Sequence, residues 1–245
     1  KVLGYEFPYG FTAEADFILP KFANETSPYL NRSATDISLF GICSASTDDG
    51  GERPLNDTTW YTNDNASMQV YAVRDPQDEK TVYFKLTSSL LGPGSTDDEI
   101  GPFPTLTSSY FYEAYDDSNW NLSVRLKPTD FGITNMVSGA MNNDYKYDVI
   151  FSGFNHELGT IQNSFTVTGT MTQTKGHNFL KAAKRLSVGA FRTNLTGALV
   201  APNDTICNSV KYWLKYLDDI SLRQHAYDID NAGVSGSWRS ISPLD

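Results

Sequence analysis

The chain has 245 residues, of which 40% are hydrophobic and 13% are aromatic, and its formal net charge at pH 7 is −10. This composition is sufficient for a buried core and argues against a disordered chain. The acidic charge argues against nucleic-acid binding and against attraction to anionic membranes, and no apolar run approaches the roughly 18 residues that a membrane span requires.

Alternation of apolar and polar residues with period two is the dominant pattern, and clusters of Gly, Pro, Asn and Asp separate the alternating segments. This pattern predicts two packed antiparallel sheets, in which one face of each strand turns inward. The predicted strands, in chain order, are residues 12–19, 37–44, 67–74, 81–87, 122–127, 147–154, 165–171, 186–191 and 209–214.

Helical signals are few. Residues 218–227 form the main candidate, because Asp218 or Asp219 can cap a short apolar stripe, and residues 181–185 give a second, shorter signal. Residues 45–65 and 91–106 are irregular and longer than ordinary connections, which makes them candidate contact surfaces.

The domain organisation is expected to be simple, because all-β sandwiches of this size commonly form one unit. We expect a single sandwich over residues 1–234, with residues 235–245 as a C-terminal tail or linker. Residues 1–36 are either an opening strand or an N-terminal arm. The sequence begins with Lys rather than Met, so we expect a processed product or a part of a longer precursor.

The last third of the chain carries a recognisable order of motifs. The segment VGAFRTNLTG begins at Val188, VKYWLKYLDD begins at Val210, and HAYDIDNAG begins at His225. This order resembles the closing signature of laminin-G-like, concanavalin A-like jelly-roll modules, especially those embedded in large phage or extracellular structural and adhesive proteins. The resemblance is strongest over residues 120–233. It implies an all-β jelly-roll sandwich with a short C-terminal helix, in which Trp120 is buried.

The resemblance also implies a function. It points to a non-catalytic structural and adhesive module displayed on an extracellular assembly, such as a virion surface, fibre or filament. Its partners would be other subunits of the assembly, together with cell-surface glycans. The alternative is a carbohydrate-binding lectin, and a more distant one is the relic of a glycoside hydrolase, because one fold hosts all of these functions.

The hydrolase alternative depends on Glu14 and Asp16. Glucanases of this fold alternate three carboxylates along a strand, and these two residues match the first two. Leu19 and Pro20 stand where the third, the proton donor, would lie. The three histidines are isolated in sequence and lack the spacing of metal ligands. We therefore predict that the chain is not an enzyme.

Two binding sites are candidates. Pyranose rings stack on aromatic side chains, so Trp60, Tyr61 and Tyr115 are the candidate glycan platform.

Calcium is the candidate cofactor, because modules of the resembled family hold it with loop oxygens. Its candidate ligands, Asp228, Asp230 and Asn231, alternate before a glycine but lack the later Glu of an EF-hand, and the other interpretation is a solvated acidic turn.

The two cysteines, Cys43 and Cys207, are few enough for a single disulfide. The resemblance implies that their strands are neighbours and can be bridged, whereas both could instead be small buried residues.

Seven Asn-x-Ser/Thr sequons are present. On a glycosylating secretory route, the predicted acceptors are the loop residues Asn24, Asn31, Asn56, Asn65 and Asn203.

Overall fold

The computed structural model describes most of the central part of the chain. The described residues are 10–21, 34–45, 66–89, 103–129, 133–135, 140–141, 145–181, 183–192, 197–231 and 233. Trp60, Tyr61, Asn24, Asn31, Asn56 and Asn65 lie outside them.

Strands dominate the described residues. In chain order the elements are β1 (Phe11–Leu19), β2 (Asp36–Ala45), β3 (Ala66–Arg74), β4 (Val82–Ser89), β5 (Leu106–Thr107), β6 (Ser118–Pro128), β7 (Ile133–Asn135), β8 (Ala140–Met141), β9 (Lys146–Glu157), β10 (Thr160–Thr172), α1 (Gln173–Lys181), β11 (Ala183–Val188), β12 (Phe191–Arg192), β13 (Leu199–Ala201), β14 (Ile206–Trp213) and α2 (Asp219–Tyr227).

Two five-stranded antiparallel sheets form the body of the protein. The first has the strand order β10-β9-β6-β1-β14, and the second has the order β11-β2-β3-β4-β5. One continuous core is formed by apolar side chains of both sheets. The predicted all-β sandwich with a short C-terminal helix is therefore confirmed. Among the described residues, no helix is long and apolar enough to cross a membrane.

Strand β1 lies inside the first sheet, where it pairs with β6 on one side and β14 on the other. Its side chains alternate: Phe11, Ala13, Ala15, Phe17 and Leu19 are buried in the core between the sheets. The residues between them therefore point to the opposite face of the sheet. The described part of the predicted N-terminal arm is thus an integral strand of the sandwich.

Aromatic rings fill the centre of the core, as the resemblance implies for Trp120. This side chain is 1% exposed, and its ring centroid lies 4.7 Å from those of Phe84 and Phe111. Such tilted contacts add to the free energy gained by burying the rings.

Strand β14 is tied to the second sheet by a buried charged cluster just before it begins. The guanidinium of Arg74 forms an ion pair with Asp204 and lies 4.2 Å from the centroid of the Tyr115 ring. The Tyr115 hydroxyl donates to Asp204 Oδ1 at 3.1 Å. Because a buried charge needs such partners, this cluster holds the segment before β14 against the end of β3.

The sequence-based prediction was wrong in two places. The predicted strand over residues 186–191 is divided into β11 and β12 by a turn at Gly189, and the short helix predicted over residues 181–185 is replaced by the end of α1 and the start of β11. Gly189 has φ +85°, a conformation that favours glycine. The nearest atom to an added Cβ would be Cγ of Asn203 at 3.9 Å, so conformation and not crowding explains the glycine.

We therefore predict that Gly189→Ala lowers the free energy of unfolding by about 1–2 kcal/mol, and that Gly189→Asn costs less, because Asn tolerates positive φ better. Chemical denaturation of the three proteins measures this order. An Ala variant as stable as the native protein would contradict it.

The predicted disulfide is not formed. Cys43 and Cys207 are free thiols, and their strands β2 and β14 belong to different sheets. The expectation that these strands are neighbours was wrong, because the last strand pairs with β1 in the opposite layer.

We predict that the denatured, unreduced protein has two reactive thiols. In the native protein Cys207, which is exposed, should be labelled before Cys43, which is half-buried. Mass spectrometry after timed alkylation measures both the number and the order. A single species that resists labelling until it is reduced would contradict the free-thiol state.

Candidate functional site: a polar cluster beneath the C-terminal helix

The largest concentration of buried polar groups among the described residues lies on the outer face of the first sheet. Rows of paired residues cross the central strands: Lys211, Glu14, Ser123 and Ser152 form one row, and Ser209, Asp16 and Asn121 form the next. Helix α2 contacts this face with Leu222 and Ala226, which pack with Phe154 of β9. We call the seven polar residues of the two rows, together with His225 and Arg125, the subhelical cluster.

Glu14 is the centre of the subhelical cluster. Its side chain is fully buried, and its two carboxylate oxygens lie 2.9 and 3.1 Å from Nδ1 of His225. Lys211 Nζ lies 3.5 Å from Oε1. The carboxylate, which could not be buried alone without a large desolvation cost, is thus held between two basic groups from β14 and α2.

The partners of His225 indicate its protonation state. Nδ1 faces the Glu14 carboxylate and Nε2 faces the carbonyl oxygen of Gly233. Both oxygens only accept hydrogen bonds, so both ring nitrogens are donors and the ring is an imidazolium. The indole of Trp213 stacks on it with centroids 5.2 Å apart, a favourable arrangement for a cation.

The pKa of His225 reflects the same contacts. Burial lowers it, but the hydrogen bonds to Glu14 and to the Gly233 carbonyl, together with the charge of Glu14, outweigh this effect and raise the pKa above the ordinary 6.5.

Asp16 occupies the next outward position on β1. Its oxygens accept hydrogen bonds from Asn121 Nδ2 at 2.9 Å and from Ser209 Oγ at 2.6 Å. Burial raises the pKa of Asp16, although these two hydrogen bonds act in the opposite direction. Asp16 is therefore engaged by neighbouring strands and is only 2% exposed.

Arg125 connects the sheet to the start of α2. Its buried guanidinium donates to Ser152 Oγ at 2.8 Å and to the carbonyl oxygen of Leu217 at 3.1 Å, and it lies 2.7 Å from Asp219 Oδ1. Asp218 caps the helix by accepting from the backbone N–H of Ser221 at 2.8 Å. Asp218 thus has the capping role predicted from the sequence.

Several buried polar atoms on the outer face of β6 have no hydrogen-bond partner among the described residues. They follow one another along β6 on its outward face: Asn119 Oδ1, Asn121 Oδ1, Ser123 Oγ and Arg125 Nε. Buried polar atoms are almost always hydrogen-bonded, and ordered water usually satisfies those that lack protein partners. We therefore expect water molecules between β6 and α2.

This geometry anchors the helix but does not open a cleft. Glu14 and Asp16 share one face of β1, as in the glucanase motif, while Leu19 at the expected proton-donor position is buried in the core. Both carboxylates are buried: Glu14 is ion-paired, and Asp16 accepts hydrogen bonds from two neutral side chains. The alternation of carboxylates pointed to Glu14 and Asp16, but no local pattern pointed to Lys211, Arg125 or the role of His225, because these residues meet only when β6, β14 and α2 come together.

The predicted glycan platform is not assembled among the described residues. Tyr115 is fully buried beneath Arg74 and Asp204, so its placement as an exposed stacking residue was wrong. Trp60 and Tyr61 lie outside the described residues. The exposed tyrosines of the described part of the chain are Tyr110, Tyr112 and Tyr227, which are 50%, 80% and 50% exposed.

The predicted calcium ligands lie in a turn after α2. Asp228 Oδ1 accepts from the backbone N–H of Asp230 at 3.1 Å, and Asn231 Oδ1 accepts from that of Gly233 at 2.8 Å. The Asn231 carbonyl oxygen accepts from Lys211 Nζ at 3.0 Å, so a lysine already provides the positive charge there. Within the described ranges, no three His, Cys, Asp or Glu side chains converge as metal ligands. The turn fits the solvated acidic interpretation better than the calcium site.

Asn203 is the one predicted glycosylation acceptor within the described residues. Its Nδ2 donates to the Ser38 carbonyl oxygen at 2.6 Å and to Thr205 Oγ1 at 2.8 Å. A glycan on this nitrogen would remove at least one of these hydrogen bonds, so the local structure does not favour modification.

Comparison with known protein families, with curated proteins and with solved structures found no match.

We predict that the contribution of His225 to stability depends on pH. A folded pKa above the unfolded value means that the contribution is complete below about pH 6.5 and is lost as pH rises through the folded pKa. His225→Gln should therefore cost about 3–5 kcal/mol at mildly acidic pH and less at alkaline pH. Urea denaturation across this pH range measures the difference.

His156→Gln is the matched control, because His156 contacts α2 through the Tyr227 ring and not through a carboxylate. Its effect should not follow the pH dependence of His225→Gln. Equal costs of His225→Gln at acidic and alkaline pH would contradict the ion-paired state.

Proposed function

We propose that the chain is a non-catalytic structural and adhesive module of the laminin-G-like, concanavalin A-like jelly-roll type, displayed on an extracellular assembly such as a virion surface, fibre or filament. The observation that carries this proposal is the closed state of the subhelical cluster. Glu14 binds His225 of helix α2 and Asp16 is hydrogen-bonded to the neighbouring strands, whereas the working carboxylates of a glycosidase have to face a substrate.

The chemistry of hydrolysis supports the same conclusion. A glycosidase needs a proton donor and a second carboxylate on either side of the scissile bond. Here Glu14 binds an imidazolium and an ammonium, and Asp16 accepts two hydrogen bonds from neighbouring strands. Neither group has a free side toward which a sugar could approach.

The surface of the module supports protein contacts. Leu199 and Val200 of β13 and Ile206 of β14 are 41–54% exposed, although their side chains are apolar. A module built into an assembly would cover such exposed apolar side chains with its neighbours.

A lectin is the second candidate, and the tyrosines at positions 110 and 112 favour it. They lie in the turn between β5 and β6, and Tyr110 is held edge-on against Tyr83 with ring centroids 5.1 Å apart. A held and exposed ring is suitable for stacking against a pyranose. Glycan-array binding that is lost in Tyr110→Ala but kept in Leu158→Ala, an exposed control on another turn, would favour this candidate.

We predict that the native chain releases no reducing ends from β-glucans, alginate, agarose or host-derived polysaccharide. Asp16→Asn, which keeps the shape of the side chain, serves as the matched variant and should be equally inactive. Melting curves establish that it is folded. Turnover by the native chain that disappears in a folded Asp16→Asn protein would overturn the non-catalytic proposal.

A further inference from the structure

The outer edges of the two large sheets differ in how they are protected against pairing with another chain. Natural sheets protect their edge strands with charges, bulges, Pro or short length. Strand β5 has only two residues, β11 carries Lys184 and Arg185, and β14 carries the charged Lys211 and a register shift opposite Asp16.

Strand β10 lacks these protections over most of its length. It has 13 residues, TIQNSFTVTGTMT, with no charged residue and no proline. Its register with β9 is shifted only near its start, between Ile161 and Asn163. In the described part of the chain, β10 pairs with β9 alone, so half of its backbone N–H and C=O groups face away from the sheet.

From this edge we infer that β10 pairs antiparallel with β10 of a second copy of the chain, so that two first sheets join into one continuous ten-stranded sheet. This interface is separate from the adhesive role proposed above and does not depend on it.

The sequence of β10 is complementary to itself in this arrangement. A two-fold axis at Thr168 places Thr168 opposite its own copy, Thr166 opposite Thr170 and Ser164 opposite Thr172 of the second copy. All of these side chains are on the exposed face, where hydroxyl pairs across strands are favourable.

The same register matches the inward face. Phe165 lies opposite Met171 of the second copy, and Val167 lies opposite Gly169. Phe165 and Met171 are buried and Val167 packs against the core, so the apolar residues of both copies stay on one side. A shift by one residue would place apolar residues against hydroxyl groups.

Electrostatics favours this edge for self-association. Two copies that each carry a formal charge of −10 repel one another, and an uncharged strand is the part of the surface where this repulsion is smallest. The charged residues of β9 next to the paired segment, Lys146 and Asp148, have opposite signs.

Sedimentation velocity of the full chain over a wide concentration range tests the inference. We expect a reversible increase from the mass of one chain to that of two. Thr168→Lys and Thr168→Glu each place like charges opposite one another, so each should weaken the dimer by about tenfold or more. An equimolar mixture of the two variants should regain the dimer, because Lys then lies opposite Glu.

Ser109→Lys and Ser109→Glu are the controls, since they introduce the same charges at an exposed position outside β10. They should leave the dimer unchanged. Hydrogen exchange of the native chain provides a readout without mutation: amides of residues 164–172 should become more protected as concentration rises. A chain that stays monomeric would overturn the inference. A dimer that is insensitive to the Thr168 variants would also overturn it, because the two copies would then be joined through a surface other than β10.

Discussion

The buried carboxylate of Glu14 is the constraint on which the C-terminal part of the structure depends. It lies on a central strand with no access to solvent, so its charge has to be balanced by groups that the rest of the chain supplies. Lys211 comes from the adjacent edge strand and His225 from the terminal helix. A single acidic residue therefore connects the last strand and α2 to the centre of the sheet, in addition to the β1–β14 pairing and the contacts of Arg125.

The two faces of the first sheet are stabilised in different ways. The inner face packs aromatic and aliphatic side chains against the second sheet and gains its free energy from apolar burial. The outer face has polar side chains over its central strands, and it is covered by a helix that contributes only a few apolar contacts. Hydrogen bonds and ion pairs, with the water expected beside β6, hold the helix in place, so we expect its attachment, unlike the packing of the core, to depend on pH.

The glucanase-like spacing of Glu14 and Asp16 does not by itself indicate a glucanase site. Glu14 and Asp16 alternate as the carboxylates of a glucanase strand do, yet in the folded protein Glu14 binds His225 of α2 and Asp16 is hydrogen-bonded to its neighbouring strands. A carboxylate pattern shows which residues share a face of a strand, because the side-chain period is two. Whether that face is open to a substrate depends on what packs over it, and here the final helix does.

Residue periodicity alone determined much of the fold. Alternation along the chain predicted nine strands, eight of which correspond to single strands, and Asp218 marked the start of the terminal helix, because both signals are local. The break at Gly189 and the helix α1 were missed, since a positive φ and a helix with a weak sequence pattern are not visible in alternation. The pairing of β14 with β1, which keeps Cys43 and Cys207 in different sheets, could not be read from sequence because it is a contact between distant segments. The burial of Tyr115 and the union of Glu14 with Lys211 and His225 likewise arise only when separate strands and the helix pack together, so the tertiary structure alone decided them.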